Sequence, residues 1–189
     1  MGNLQILEWV AVGLNLLFIY FIIKENAIGW SFGILASIIS IAIFFHSRYY
    51  SEAILYTYYV FVGVYGWATW TNSKNKLRIT EWRGTYHLAA IVVGLICFLG
   101  LGYFFATKTN ADKPFADAFS TIFSFIATYM EAKKILSAWL YWIILNAYSV
   151  WLYSVKGLDV YAVLMVVYAI LSVSGYMQWK KSMKHQSIG

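Results

Sequence analysis

The stretch SAWLYWIILNAYSVWLY, residues 137–153, sets three tryptophans, three tyrosines and one asparagine in seventeen residues. Together with its flanks it is long and apolar enough to cross a bilayer core, which takes about 20 residues of helix. A helix that only anchors a protein in lipid uses Leu and Ile and keeps Trp and Tyr for its ends. Here the rings run the whole length, so this span has a task beyond anchoring.

The rest of the chain has the same character. Of 189 residues 61% are hydrophobic and 20% aromatic, and only 12% are charged, where a soluble domain carries roughly a quarter. Seven segments qualify as spans, at about 5–23, 28–46, 52–71, 87–106, 115–132, 135–154 and 159–178. Pro114 stands where the fifth would begin, a place that tolerates proline because its N–H would be unpaired anyway. The opening MGNLQILEWV has no basic region and no small-residue cleavage pattern after it, so the first span is expected to be retained. Cys97 is the single cysteine and lies inside an apolar run, which excludes an internal disulfide. The fold class expected is an all-α integral membrane protein forming one transmembrane domain over residues 1–189.

Working outward from residues 137–153, the sequence matches itself at an offset of 109. Trp30 meets Trp139, Ser40 meets Ser149, Ala53 meets Ala162, Leu55 meets Leu164, Tyr59 meets Tyr168, Gly66 meets Gly175 and Trp70 meets Trp179, with no gap. Upstream, Lys24 meets Lys133. Helices 1–3 (about 5–71) thus read as repeated in helices 5–7 (about 115–178), with a linking helix at about 87–106. Three helices per copy plus one between them give a parallel repeat, and such folds hold substrate between their halves. With the N-terminus outside, Lys24, Lys74, Lys76, Arg78, Arg83, Lys133, Lys134, Lys180, Lys181 and Lys184 face the cytoplasm. Arg48, Lys108, Lys113 and Lys156 face out. Because basic residues favour the cytoplasmic side, the expected orientation is N-out, C-in.

Charge also excludes function classes. The net charge of +6 is spread over several loops, as expected for topology signals and anionic lipid rather than for a nucleic-acid partner. The acidic residues, Glu8, Glu25, Glu52, Glu81, Asp112, Asp117, Glu131 and Asp159, all fall in loops or near span ends. Ion-coupled carriers usually keep a charge near mid-membrane, so facilitated diffusion is favoured over proton coupling. Retinal needs a lysine in the last helix, and LDVYAVLMVVYAILSVSGYMQW has none. His46, His87 and His185 lie at span edges or in the tail without metal-ligand spacing, and no Gly-rich phosphate loop is present. No enzyme, cofactor or metal site is expected.

At 100° per residue, Trp139, Trp142, Asn146, Ser149 and Tyr153 fall within about 80°. On helix 3, Glu52, Tyr56, Tyr59, Gly63, Gly66 and Trp70 do the same. Two readings compete: a pair of packing seams, with the glycines permitting close approach, or a slot that leaves room for a flat ligand. The ligand suited to rings and an amide is a flat heterocycle, especially a cationic one, since each ring face attracts a cation by roughly 0.5–2 kcal/mol. The candidate substrate-binding residues are Trp139, Trp142, Asn146, Ser149, Tyr56 and Tyr59.

WLYWIILNAYSVWLYSVKGL resembles the W-x-x-W, Asn, short-loop pattern of the PnuC-type vitamin transporters, and VYGWATW is similar to their YGW-x-x-W signature. The resemblance covers nearly the whole chain. It implies a SWEET-like 3+1+3 fold, commonly a homotrimer, and facilitated uptake of nicotinamide riboside through the bacterial inner membrane. A cytosolic kinase would trap the substrate without touching the carrier. By the same resemblance Trp139 and Trp142 would flank the nicotinamide ring and Asn146 would bind its polar edges. Where nicotinamide riboside members often carry a Gln and an Asn on helix 3, this chain has Tyr56 and Gly63, which brings in thiamine as the alternative substrate. A second function class is a non-transporting membrane subunit or sensor, in which both stripes are packing.

Overall fold

The structure, a computed structural model, describes residues 2–46, 50–72, 77–109, 113–155, 157 and 159–186. Arg48, Lys74, Lys76, Asp112 and Lys156, which enter the charge count above, lie outside the described residues. Among the described residues seven helices follow in order: α1 (Gly2–Ile23), α2 (Ile28–His46), α3 (Tyr50–Thr71), α4 (Gly84–Lys108), α5 (Pro114–Ala132), α6 (Ala138–Val155) and α7 (Asp159–Gln186). Windows in α1, α2, α4 and α7 are long and apolar enough to cross a membrane. The remaining three, α3, α5 and α6, carry more Tyr, Trp, Ser and Thr. Large apolar side chains point outward, among them Trp9, Phe61, Ile96 and Ile170, each more than 60% exposed. Water would penalise that surface; lipid does not.

The chain divides into two units. Unit 1 holds Met1–Ile79, Ala132–Lys134 and Met177–Gly189. In it α1 packs on α2 and α2 on α3. The first helix ends in a left-handed turn: Glu25 has φ 56°, its N–H bonds Ile22 O, and Asn26 N–H bonds Phe21 O at 2.9 Å. This is the Schellman arrangement, which satisfies the last carbonyls of a helix. The Asn26 side chain then accepts the Ile28 N–H at 3.0 Å and opens α2. Trp30 is 2% exposed and lies on Gly66 of α3, where a Cβ would come within 2.5 Å of the indole. Only a glycine lets the ring settle against that backbone.

Unit 2 holds Thr80–Glu131 and Ile135–Tyr176. Phe115 and Phe123 of α5 rest on Gly102 and Gly94 of α4. Phe123, Ala127 and Leu145 form one core group, packed by Phe119, Ile126, Tyr141 and Trp142. Met130, Ile135 and Ala138 form another. The end of α5 repeats the turn of α1: Lys134 has φ 53°, and Ile135 N–H bonds Met130 O at 2.9 Å. Residues 25, 26 and 21 become 134, 135 and 130 when 109 is added, so these turns recur at the offset read from the sequence. Leu136 N–H bonds Thr80 O at 2.9 Å beside an isolated bridge between Thr80 and Ile135.

Candidate substrate-binding site

The stripe predicted on α6 is mostly buried. Trp139 is fully buried and lies on Gly175 of α7, where a Cβ would meet the indole at 2.6 Å. Trp142 is half-buried and packs on the Phe123, Ala127 and Leu145 group, so it keeps part of its surface open. Asn146 is 7% exposed, and its Nδ2 donates to Ser172 Oγ of α7 at 3.2 Å. Ser172 in turn donates to Tyr168 O at 2.8 Å. The buried amide thus has the neighbouring-helix partner that an apolar setting demands. Ser149, one turn on, is also buried.

Linking-helix residues fix the start of α6. The ring of His87 stacks on Tyr141 at 5.8 Å between centroids. Its Nδ1 lies 3.2 Å from Tyr141 Oη and its Nε2 3.3 Å from Ser137 Oγ. A neutral imidazole donates from one nitrogen and accepts at the other, and hydroxyls serve both. His87, read from the sequence as an interfacial polar residue, is therefore a clamp on the two residues that bracket Trp139.

In unit 1, Tyr56 stacks on Phe44 at 5.3 Å and meets Tyr59 edge-on at 5.4 Å. Both tyrosines are half-buried. Beside them, Gly63 is covered by Ile34, whose Cγ1 lies 2.8 Å from where a Cβ would be, and Gly66 by Trp30. Of the two readings for these glycines, close helix approach is what the structure has. Tyr56 and Tyr59 come together in unit 1, while Trp139, Trp142, Asn146 and Ser149 come together in unit 2.

Sequence reading missed a second polar stripe. On α5, Thr121, Ser124 and Thr128 are each 5% exposed and Glu131 is 2% exposed. Their 3, 4, 3 spacing puts all four within about 80° of one another. Thr128 donates back to Ser124 O at 2.8 Å, the usual way a hydroxyl is satisfied on a helix in lipid. Glu131 Oε2 is buried with no hydrogen-bond partner. The signal was in the spacing, but Ser and Thr draw no notice singly and Glu131 reads as a helix-end charge. An apolar hollow of about 300 Å³ lined by Phe98, Phe115, Ala116, Phe119 and Tyr148 also lies in unit 2. The Tyr148 hydroxyl there is spent on Ala116 O at 3.3 Å, which leaves it little to offer a polar ligand.

Lipid-compatible outer faces around helices whose buried sides carry amide, hydroxyl and ring groups define a polytopic membrane protein. Residues 5–181 match the nicotinamide mononucleotide transporter family, and the chain belongs to that family. It is similar to the nicotinamide riboside transporter PnuC of Escherichia coli, at 23% identity over 95% of this chain and 88% of that protein. The riboflavin/roseoflavin transporter RibM of Streptomyces davaonensis is 26% identical over 62% of this chain and 58% of its own length. In fold, a crystal structure of the vitamin B3 transporter PnuC superposes with a TM-score of 0.78 at 19% identity, covering 95% of this chain and 82% of that one. The chain is thus a multi-pass membrane transporter and not an enzyme.

Proposed function

We propose that this chain takes up nicotinamide riboside across the bacterial inner membrane by facilitated diffusion. The observation that carries the reading is the α6 stripe, where Trp142 keeps an open ring surface one turn from the Asn146 amide. A pyridinium ring gains from an aromatic face, and an amide carbonyl accepts from a carboxamide or a ribose hydroxyl. Trp139 backs these groups from its seat on Gly175, Ser149 extends the polar edge, and Tyr56 and Tyr59 are the candidate contacts in unit 1. Charge distribution supports N-out, C-in topology, and the 109-residue offset supports two parallel three-helix repeats. A homotrimer set in lipid, with a cytosolic kinase trapping the product, completes the reading.

The test is binding to the purified protein, followed by tryptophan fluorescence or calorimetry, with nicotinamide riboside, thiamine and riboflavin side by side. Saturable binding of the riboside, matched by uptake into proteoliposomes without an ion gradient, is the expected result. The RibM likeness makes riboflavin the second reading, and binding of riboflavin alone would move the chain to it. Binding of thiamine alone would keep the transport mode and change the vitamin.

A further inference from the structure

The clamp at the start of α6 is built from side chains of unit 2. His87 of α4 is half-buried between two rings, Tyr141 at 5.8 Å and Trp82 at 5.5 Å between centroids. Trp82 is itself packed on the Met130, Ile135 and Ala138 group, so the imidazole is held on both sides. Its two nitrogens face Tyr141 Oη and Ser137 Oγ, which stand one helical turn apart. Just before them, the Leu136 N–H bond to Thr80 O ties the same two chain segments through the backbone. In unit 1 the corresponding places are apolar. At the offset of 109, Ser137 corresponds to Ile28, which is 47% exposed, and Tyr141 to Phe32, which stacks on Phe21 at 5.5 Å. A helix is therefore seated in unit 1 without hydroxyls at these positions, and packing alone does not call for them in unit 2.

What hydrogen bonds add to ring packing is direction. Apolar contacts leave a helix some freedom to rotate, while bonds to two hydroxyls a turn apart fix rotation and slide together. A rotation of α6 by about 10° moves a side-chain atom about 6 Å from the axis by about 1 Å. A binding constellation tolerates about half that. Tyr141 adjoins Trp142, and both pack on the Phe123, Ala127 and Leu145 group, so the oxygen held by His87 and the half-open indole move together. We propose that His87 is a positioning residue. Through Tyr141 and Ser137 it sets the rotation of α6, and with it the affinity of the Trp142–Asn146 face, without touching the substrate. On this account α4, which the sequence reads only as a linker, helps to set the site of unit 2. The proposal deepens the uptake reading above and rests on it for the ligand, while the effect on Trp142 itself can be read with no ligand present.

The first readout is fluorine NMR of ligand-free protein labelled with fluorotryptophan, the Trp142 signal being assigned by its loss in Trp142→Phe. His87→Phe keeps a stacked ring but removes both nitrogens, and Tyr141→Phe removes one oxygen. Both should shift or broaden the Trp142 signal and leave that of Trp30 in unit 1 unchanged. A Trp142 signal unmoved in both variants would overturn the proposal. The second readout is binding and uptake of nicotinamide riboside. Each change should raise the dissociation constant and KM roughly three- to tenfold, the range of one hydrogen bond, with the maximal rate kept within about twofold. Because both remove the same bond, the double variant should bind no more weakly than His87→Phe alone. His87→Asn, whose amide reaches the place of Nδ1, should restore most of the affinity. Losses that add in full, or lower melting with an unchanged dissociation constant, would overturn the proposal and leave His87 a structural contact. Wild type that binds no riboside, with a Trp142 signal that still follows the clamp, would sink the substrate reading and leave the positioning role standing.

Discussion

In unit 1 Trp30 of α2 lies on Gly66 of α3, and in unit 2 Trp139 of α6 lies on Gly175 of α7. Both indoles are buried, and both pairs are 109 residues apart. One turn further on, the two units part. Unit 1 has Gly33 and Ser37 on α2 and Gly63 on α3; unit 2 has Trp142 and Asn146 on α6 and Ser172 on α7 at the corresponding places. In unit 1 the gaps are closed by apolar groups, with Phe18 over Gly33 and Ile34 over Gly63. In unit 2 a half-open ring and a bonded amide–hydroxyl pair stand there instead. The shared tryptophan seat is scaffold, and the residues that differ around it are where chemistry can be placed.

The largest effect should come from breaking that difference. Trp142→Ala should cut the initial uptake rate by about 30- to 150-fold, the scale of about 2–3 kcal/mol for an aromatic hot spot. Asn146→Leu should follow closely, since it removes the amide and its bond to Ser172, whose hydroxyl still donates to Tyr168 O. The counterpart Ser37→Ala in unit 1 should leave uptake within about twofold. Size-exclusion profiles in detergent separate loss of site from loss of fold. Folded Trp142→Ala protein with full uptake would return the α6 stripe to packing.

How much of this was legible follows from what each residue type signals. Helix number and class were readable because long apolar runs have few other uses, and the constant register of Trp and Gly is compatible with the recurring turns at Glu25 and Lys134. The site was readable as a stripe but not as roles. Periodicity says that Trp139 and Trp142 share a face; it does not say that Trp139 is sealed against Gly175 while Trp142 stays half open. That distinction depends on which helix lies opposite, a matter of tertiary packing. Glu131 lies near the end of α5 as read, but its burial was not legible, for a related reason. A carboxylate one residue from the end of a helix reads as solvated until the fold covers it.

Next in size are the seats themselves. Gly175→Ala and Gly66→Ala each place a methyl about 2.5 Å from an indole, and overpacking of this kind costs about 1–3 kcal/mol. Both variants should melt several degrees lower in detergent. Only Gly175→Ala should also weaken riboside binding, because only its tryptophan backs the candidate site. Equal weakening by Gly66→Ala would mean that both copies bind, and would erase the distinction drawn here.

A smaller effect belongs to the ion pair between Glu25 and Lys134, which are themselves counterparts at the 109 offset. Their side chains are 20% and 9% exposed. Losing either partner alone should cost about 1–3 kcal/mol, below the range for a fully buried pair because water still screens part of the field. Trp70 Nε1 to Ala132 O at 2.9 Å and Trp179 Nε1 to Ile22 O at 3.0 Å hold the same two helix ends from either side, so the turns should survive. Exchanging the charges with Glu25→Lys and Lys134→Glu together should recover most of the loss in a double-mutant cycle.

The smallest net change should follow from Glu25→Gly combined with Lys134→Gly. Both residues sit in the left-handed region, which disfavours a side chain by roughly 1–2 kcal/mol and which glycine adopts freely. Removing both side chains relieves two strained turns and deletes the ion pair at once. The opposing terms should leave the melting temperature of the double variant close to that of wild type. Lys134→Gly alone should be worse than the double variant, since it relieves one turn but leaves Glu25 without its partner. A double variant less stable than Lys134→Gly would mean that the side chains at these turns hold more than each other, and that the two junctions are not the simple counterparts their shared geometry suggests.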